Sequence, residues 1–274
     1  MRIRATGAAI VGALVLTALA VPAAQAEEGP AGPRKTTFSA KAPADEVLGD
    51  TKITKVVVNN NKDIVLGTTA PKTVPVTLTA TDAAGIQDAW VELWHGNDWD
   101  SPDVLAVPHE SVCKEVNATT STCTMNITID PKLELDKNTL AGTWKVTAYA
   151  WGKDGDLVQK DTYKTHRVQR ASKLTVNAAP EPVTKGRKIT VTGKLSRANW
   201  ETSTYKGYAD QPVKLQFRKA GTSTYSTVKT VKSNSTGNLS TTVTASKDGY
   251  WRWSFAGTTT TPAVNATGDY VDVR

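Results

Sequence analysis

Gly249-Tyr250-Trp251-Arg252-Trp253-Ser254-Phe255 is the stretch on which the fold turns. Successive side chains of a strand point to opposite faces. Trp251, Trp253 and Phe255 therefore share one side, and Tyr250, Arg252 and Ser254 the other. Earlier in the chain, Gly142-Thr143-Trp144-Lys145-Val146-Thr147-Ala148-Tyr149-Ala150-Trp151 repeats the pattern, with Trp144, Val146, Ala148 and Ala150 on one side. A strand that concentrates bulk on one face needs a second sheet to cover it. Each copy reads as a late central strand of a β-sandwich, and two copies imply two sandwiches in tandem.

The 274 residues suit two domains of ordinary size. Arg2 and Arg4 precede an apolar run from Ala5 to Ala20, and Ala24-Gln25-Ala26 follows. This is the pattern of a secretory signal peptide over residues 1–26, cleaved after Ala26. No second apolar run follows, so the expectation is a secreted, extracellular protein with no transmembrane span. Charge divides unevenly. Residues 171–274 hold 15 Lys and Arg against 6 Asp and Glu, whereas residues 27–170 hold 16 against 20. Such a split suggests that the halves touch or do different work. The cations are spread singly along strand-like segments, which argues against nucleic acid as a partner. Cys113 and Cys123 are the only cysteines. In an oxidising compartment they pair.

Residues 27–50 mix Pro, Gly and charge without period and read as a flexible leader. Strand signals follow at short spacing. Lys52–Asn59 alternates, Asn59-Asn60-Asn61 turns, and Asp63–Gly67 returns. Thr73–Thr81 puts Val74, Val76, Leu78 and Ala80 on one face. Ile86–Trp94 groups Ile86 with Trp90 and Trp94. Val104–Val112 and Thr122–Ile129 flank a cysteine-bearing loop, and Pro131–Asn138 alone hints at helix. With the Trp144 strand and Leu157–Val168, residues 51–170 read as an antiparallel sandwich carrying the disulfide. Residues 171–274 add about seven more strands, a second and basic sandwich, and Pro180 and Pro182 mark an edge or a strand switch.

The second half carries a more specific pattern. Leu174-Thr175-Val176-Asn177, Pro180-Glu181-Pro182-Val183, Ile189-Thr190-Val191-Thr192-Gly193, Val213-Lys214-Leu215-Gln216-Phe217-Arg218 and Gly268-Asp269-Tyr270-Val271 resemble an immunoglobulin-like repeat of exported actinobacterial proteins. The first half is similar in pattern only. The resemblance implies an all-β chain of two tandem immunoglobulin-like antiparallel β-sandwiches after a signal peptide and a disordered leader. It also implies a spacer, docking or binding role. Asp248-Gly249-Tyr250 resembles the immunoglobulin corner in which a Tyr hydroxyl bonds upstream backbone.

Catalytic patterns are missing. His95, His109 and His166 fall in no Ser/His/Asp elbow or zinc motif, and paired cysteines leave no thiol nucleophile. The expectation is a protein that is not an enzyme. Asn97, Asp98, Asp100 and Asp103 put hard oxygens into one short stretch, as calcium requires, although a solvated turn uses the same residues. Calcium is the one cofactor this composition suggests. Trp99 sits in that polar stretch and is the candidate for stacking on a sugar. Trp200, Tyr205 and Tyr208 form a similar set in Asn199–Asp210, which reads as a long loop. The leading reading is a secreted non-catalytic binding or spacer protein of the cell exterior, whose partner is an extracellular protein or a cell-wall polymer. The alternatives are a calcium-binding secreted protein and a carbohydrate or cell-wall binding module.

Overall fold

Period-two alternation of apolar and polar residues accounts for nearly every element, so the chain is strand almost throughout. The computed structural model describes residues 45–274, and the signal-peptide and leader expectations over residues 1–44 lie outside them. The first half holds β1 (Glu46–Leu48), β2 (Lys52–Val58), β3 (Ile64–Leu66), β4 (Lys72–Thr81), β5 (Ile86–His95), β6 (Val104–Ala106), β7 (Pro108–Asn117), β8 (Thr120–Ile129), β9 (Gly142–Gly152) and β10 (Leu157–Arg170). The second holds β11 (Ser172–Leu174), β12 (Asn177–Ala179), β13 (Lys188–Asn199), β14 (Thr204–Gly207), β15 (Pro212–Lys219), β16 (Ser226–Lys232), β17 (Asn238–Thr244), β18 (Gly249–Phe255), β19 (Val264–Asn265) and β20 (Asp269–Val271).

One sheet runs β1-β10-β9-β5-β6, with β3 added to β10, and a second runs β2-β4-β8-β7. Their inner faces meet in a single cluster. Val74, Val76, Leu78 and Ala80 of β4 pack with Ala89, Val91 and Leu93 of β5 and with Val146, Ala148 and Ala150 of β9. Trp144 fills the end of this core, fully buried, and its indole N–H donates to the Leu140 carbonyl at 2.7 Å. Satisfying that N–H makes a buried Trp affordable.

In the second half, β13 collects β11, β12, β14 and β17, and faces a sheet ordered β16-β15-β18-β19 with β20 on β18. Ile189, Val191 and Leu195 pack there on Val213, Leu215, Trp251, Trp253 and Phe255. Trp253 lies flat enough against β13 to donate to the Thr192 carbonyl at 3.0 Å. Gly193 permits this approach, because a Cβ there would stand 2.6 Å from the Trp253 ring and 2.4 Å from the Thr175 carbonyl oxygen.

Several expectations change. The end of the leader is ordered: Glu46–Leu48 pairs with β10. Asn59, Asn60 and Asn61 do turn the chain, all three with positive φ, which Asn tolerates. The returning segment does not pair with β2, however. β3 crosses to the other sheet and runs parallel to β10. The cysteine-bearing loop is absent, since β7 and β8 continue to a tight hairpin at Ala118-Thr119 that places Cys113 directly opposite Cys123. The disulfide joins those two strands. The helical hint shrinks to one turn, Pro131–Glu134, capped by the Asp130 carboxylate accepting from the Lys132 N–H at 2.8 Å. The strand switch at Pro180 and Pro182 is present: β12 pairs with β13, whereas Val183 bridges in parallel to Val273, beyond β20 in the facing sheet. Tyr250 forms no corner, because its ring faces outward and packs at a tilt against Tyr270, with ring centroids 5.1 Å apart.

The two halves are tightly joined. The described residues fall in one compact unit. At the joint, Arg170 is 5 % exposed, and its Nε donates to the Ala198 carbonyl at 2.6 Å. Burial pulls that guanidinium down to about 10, which leaves it charged at neutral pH. The Gln169 amide donates to the Thr258 carbonyl at 3.0 Å.

Candidate functional site

The site lies on the outer face of the β5–β9 pair. A bulge between Ile86 and Asp88 sets this face. Ile86 points inward, but the extra residue reverses the alternation after it, so Ala89, Val91 and Leu93 become the core residues. Asp88, Trp90, Glu92 and Trp94 are thereby turned outward. On β9 the matching outward set is Lys145, Thr147, Tyr149 and Trp151, with Trp90 opposite Tyr149 and Glu92 opposite Thr147.

Trp94 is buried, yet it belongs to neither apolar cluster. Its indole donates to the Thr147 hydroxyl at 2.9 Å, and the Lys145 ammonium sits 4.2 Å from its ring centroid. The segment from Gly96 to Asp103 folds back beside it, closed by the Asp103 N–H donating to the His95 carbonyl at 2.8 Å. Gly96 makes the turn with φ of 134°, a conformation that favours glycine. The fold-back delivers Trp99 to Glu92.

Two aromatic side chains converge on that carboxylate. Trp99 Nε1 donates to Glu92 Oε2 at 3.2 Å, the Tyr149 hydroxyl donates to the same oxygen at 3.3 Å, and Trp90 stands two residues before Glu92 on the same face of β5. Burial holds the Glu92 carboxyl above its usual range, partly offset by these donors. Burial and the facing Glu92 charge push the Tyr149 phenol up in turn, so it stays a donor. Tyr149 and Trp151 stack at 5.9 Å with ring planes 8° apart. Trp90, Trp99 and Trp151 remain half-buried, so part of each is open to solvent. Next to them in register with Tyr149, the buried Gln159 donates to the Asp161 carboxylate at 2.7 Å, and its carbonyl oxygen has no partner.

The other expected residues go elsewhere. Trp200 is 3 % exposed and inserts into the apolar cluster of the first half, with its indole donating to the Gly67 carbonyl at 2.9 Å. Tyr205 packs on that same cluster beneath Lys173, and Tyr208 lies edge-on to Phe255 with Arg197 over its ring. Asn199–Asp210 is no long loop either, because β14 pairs back on β13. Trp200 and Tyr205 therefore clamp the two halves together, whereas Tyr208 packs within the second half.

Of the expected calcium ligands, Asp98 and Asp103 have side-chain partners. Asp98 accepts from the Asp100 N–H at 3.1 Å, Asp103 pairs with His95 at 2.8 Å, and the Asn97 carbonyl accepts from Lys145 at 3.5 Å. Among the described residues, the carboxylates that come together are instead Asp50, Asp82 and Asp156, with ligand oxygens within 4.8 Å of one another. They stand in three separate turns, and Asp156 accepts from the Asp50 N–H at 2.7 Å while Asp82 accepts from the Ala84 N–H at 2.8 Å. Sequence spacing marks Asp156 beside Asp154 but cannot show that Asp50 and Asp82 join it.

No protein-family model and no curated protein matches this chain. Solved structures do. The D00-D0 domain of intimin aligns at 18 % identity over 79 % of this chain and 99 % of that one, with a TM-score of 0.27. The full ectodomain of mouse nectin-like molecule 4 aligns at 13 % identity over 83 % and 65 %, with a TM-score of 0.25. A chimeric titin Z1Z2 aligns at 8 % identity over 83 % and 98 %, with a TM-score of 0.25. At these values the likenesses say nothing about what this chain binds.

Proposed function

We propose that this chain is a secreted, non-catalytic binding protein of the cell exterior, built from two tandem immunoglobulin-like sandwiches over residues 51–170 and 171–274, which holds a neutral carbohydrate on the outer face of β5 and β9. The observation that carries the reading is the convergence of Trp99 and Tyr149 on the Glu92 carboxylate. Those bonds hold the rings in fixed orientations, which reduces the ordering cost of binding. A sugar offers C–H faces to stack on indole rings and hydroxyls to donate to a carboxylate. Trp90, Trp151 and Glu92 of the β5–β9 pair, with Trp99 from the segment after β5, supply both functions. The test is a glycan array followed by calorimetric titration of the best hit. Trp99→Ala and Trp151→Ala are expected to abolish binding without changing the melting temperature by much. Binding that survives both substitutions would discard this face.

Calcium is a second reading, favoured by the approach of Asp50, Asp82 and Asp156. Hard carboxylate oxygens from three turns suit a cation that takes six to eight oxygen ligands. Titrating calcium into the chain and into Asp156→Asn tests it. Heat and a melting shift with the first and neither with the second support it, and silence from both removes it.

A further inference from the structure

A second surface, chemically opposite to the first, covers the outer face of β15, β18 and β20. The inward residues here are Val213, Leu215, Trp251, Trp253 and Phe255. Alternation then turns Lys214 and Arg218 of β15 outward, beside Arg252 and Tyr250 of β18. The register sets Arg218 opposite Tyr250, and Tyr250 opposite Tyr270.

The cations are held by rings. The Arg252 guanidinium lies 3.8 Å from the Tyr225 ring centroid, and Arg218 lies 4.1 Å from that of Tyr250 and 5.3 Å from that of Tyr225. Tyr225 therefore serves both guanidiniums. The Arg252 Nε donates to the Gln216 amide oxygen at 2.8 Å, and Arg218 Nη1 donates to the Thr222 carbonyl. Among the described ion pairs, none includes Lys214, Arg218 or Arg252. The nearest acids serve other partners, since Asp248 accepts from the Val273 N–H and Asp272 pairs with Arg274.

We propose that this face binds an acidic polysaccharide, with Arg218, Arg252 and Lys214 meeting its carboxylates. Three features favour this occupant. The half that bears the face has 15 Lys and Arg against 6 Asp and Glu, so the field around it attracts polyanions. Stacking on Tyr225 and Tyr250 holds the guanidiniums flat, so N–H edges left over remain for the bidentate bonds that planar carboxylates accept. The Tyr225 and Tyr250 rings each lie against a guanidinium, which leaves Tyr270 as a single exposed ring rather than the row of open rings on which unpaired bases stack. Lys214 and Arg218 stand four residues apart on β15, about 13 Å, and Arg252, opposite Gln216, lies diagonally between them, so the three cations form a line that a polymer can follow.

The experiment measures retention of the full chain on immobilised polygalacturonate, with dextran as the neutral control and single-stranded DNA as the competing polyanion. Binding to polygalacturonate that weakens with salt is expected, whereas any retention on dextran, which would come from the carbohydrate site of the first half, should respond neither to salt nor to substitutions on this face. Arg218→Gln with Arg252→Gln should weaken binding about tenfold or more, because two charge-assisted contacts are lost. Lys214→Glu, at an exposed position, should weaken it too and keeps the test valid if the double variant misfolds. Trp99→Ala should leave it unchanged, which separates this face from the carbohydrate site of the first half. Unaltered retention of both variants, equal retention of the Trp99→Ala chain on dextran and polygalacturonate, or tighter binding of DNA would each overturn the assignment.

Discussion

β9 and β18 are one strand design with two different backs. Both turn Trp inward, Trp144 in the first half and Trp251 with Trp253 in the second. Their outward residues then diverge. β9 shows Tyr149 and Trp151 beside a half-buried acid on β5, whereas β18 shows Tyr250 and Arg252 beside a second Arg on β15. The inner face answers to packing, which any large apolar residue satisfies. The outer face is free of that demand, so its chemistry reports what each half meets. Aromatics serve the two backs differently. In the first they donate to a carboxylate, and in the second they lie beneath cations.

The largest expected effects test the shared design. Trp144→Ala and Trp253→Ala should each cost about 3–5 kcal/mol, as buried aromatic truncations do, read by urea denaturation. If one half tolerated its truncation, the equivalence of the strands would break. Trp200→Ala should cost about 3 kcal/mol and weaken the first half, although the residue lies in the second. Loss of protection in β3 and β4 by hydrogen exchange would show it, and an effect confined to β13 would refute the clamp. Removing the bridge with Cys113→Ser and Cys123→Ser should cost about 2–3 kcal/mol, because the closed loop is short.

The smallest effect belongs to the acid on the first back. Glu92 has its carboxyl raised by burial, so the folded state favours the protonated form. The stability it contributes is present below the ordinary carboxylate range and is lost as pH rises through the folded value. Glu92→Gln should therefore stabilise the fold at neutral pH, by about 1 kcal/mol or less, and flatten the pH profile of stability just above 4.5. It should also weaken any sugar bound there. An unchanged pH profile would show that Glu92 already titrates as an exposed acid does. His166 acts in the opposite direction: burial lowers it, so its contribution is present above 6.5 and fades as pH falls through the folded value.

Local alternation already shows the strands, the disulfide and the inward Trp144, Trp251 and Trp253, because each depends on neighbours two residues apart or on two cysteines alone. The bulge at Ile86–Asp88 is different. It adds one residue, and no composition announces it, yet it decides that Trp90 and Trp94 face outward. Trp99 reads correctly as lying on the surface side, but its carboxylate partner emerges only once the Gly96 turn folds back. Trp200 and Tyr205 look like exposed loop aromatics because their covering surface belongs to the other half of the chain. Asp50, Asp82 and Asp156 are separated by tens of residues and meet only where three turns share one end of the sandwich.

The sequence by itself determined an all-β chain with two aromatic inner faces, a paired set of cysteines and an acidic half followed by a basic one. Those features follow from side-chain alternation and from counting. Tertiary structure alone decided which aromatics are core, which join the halves and which gather on an outer face. That choice depends on what covers each ring, and the covering groups come from strands far away in the chain.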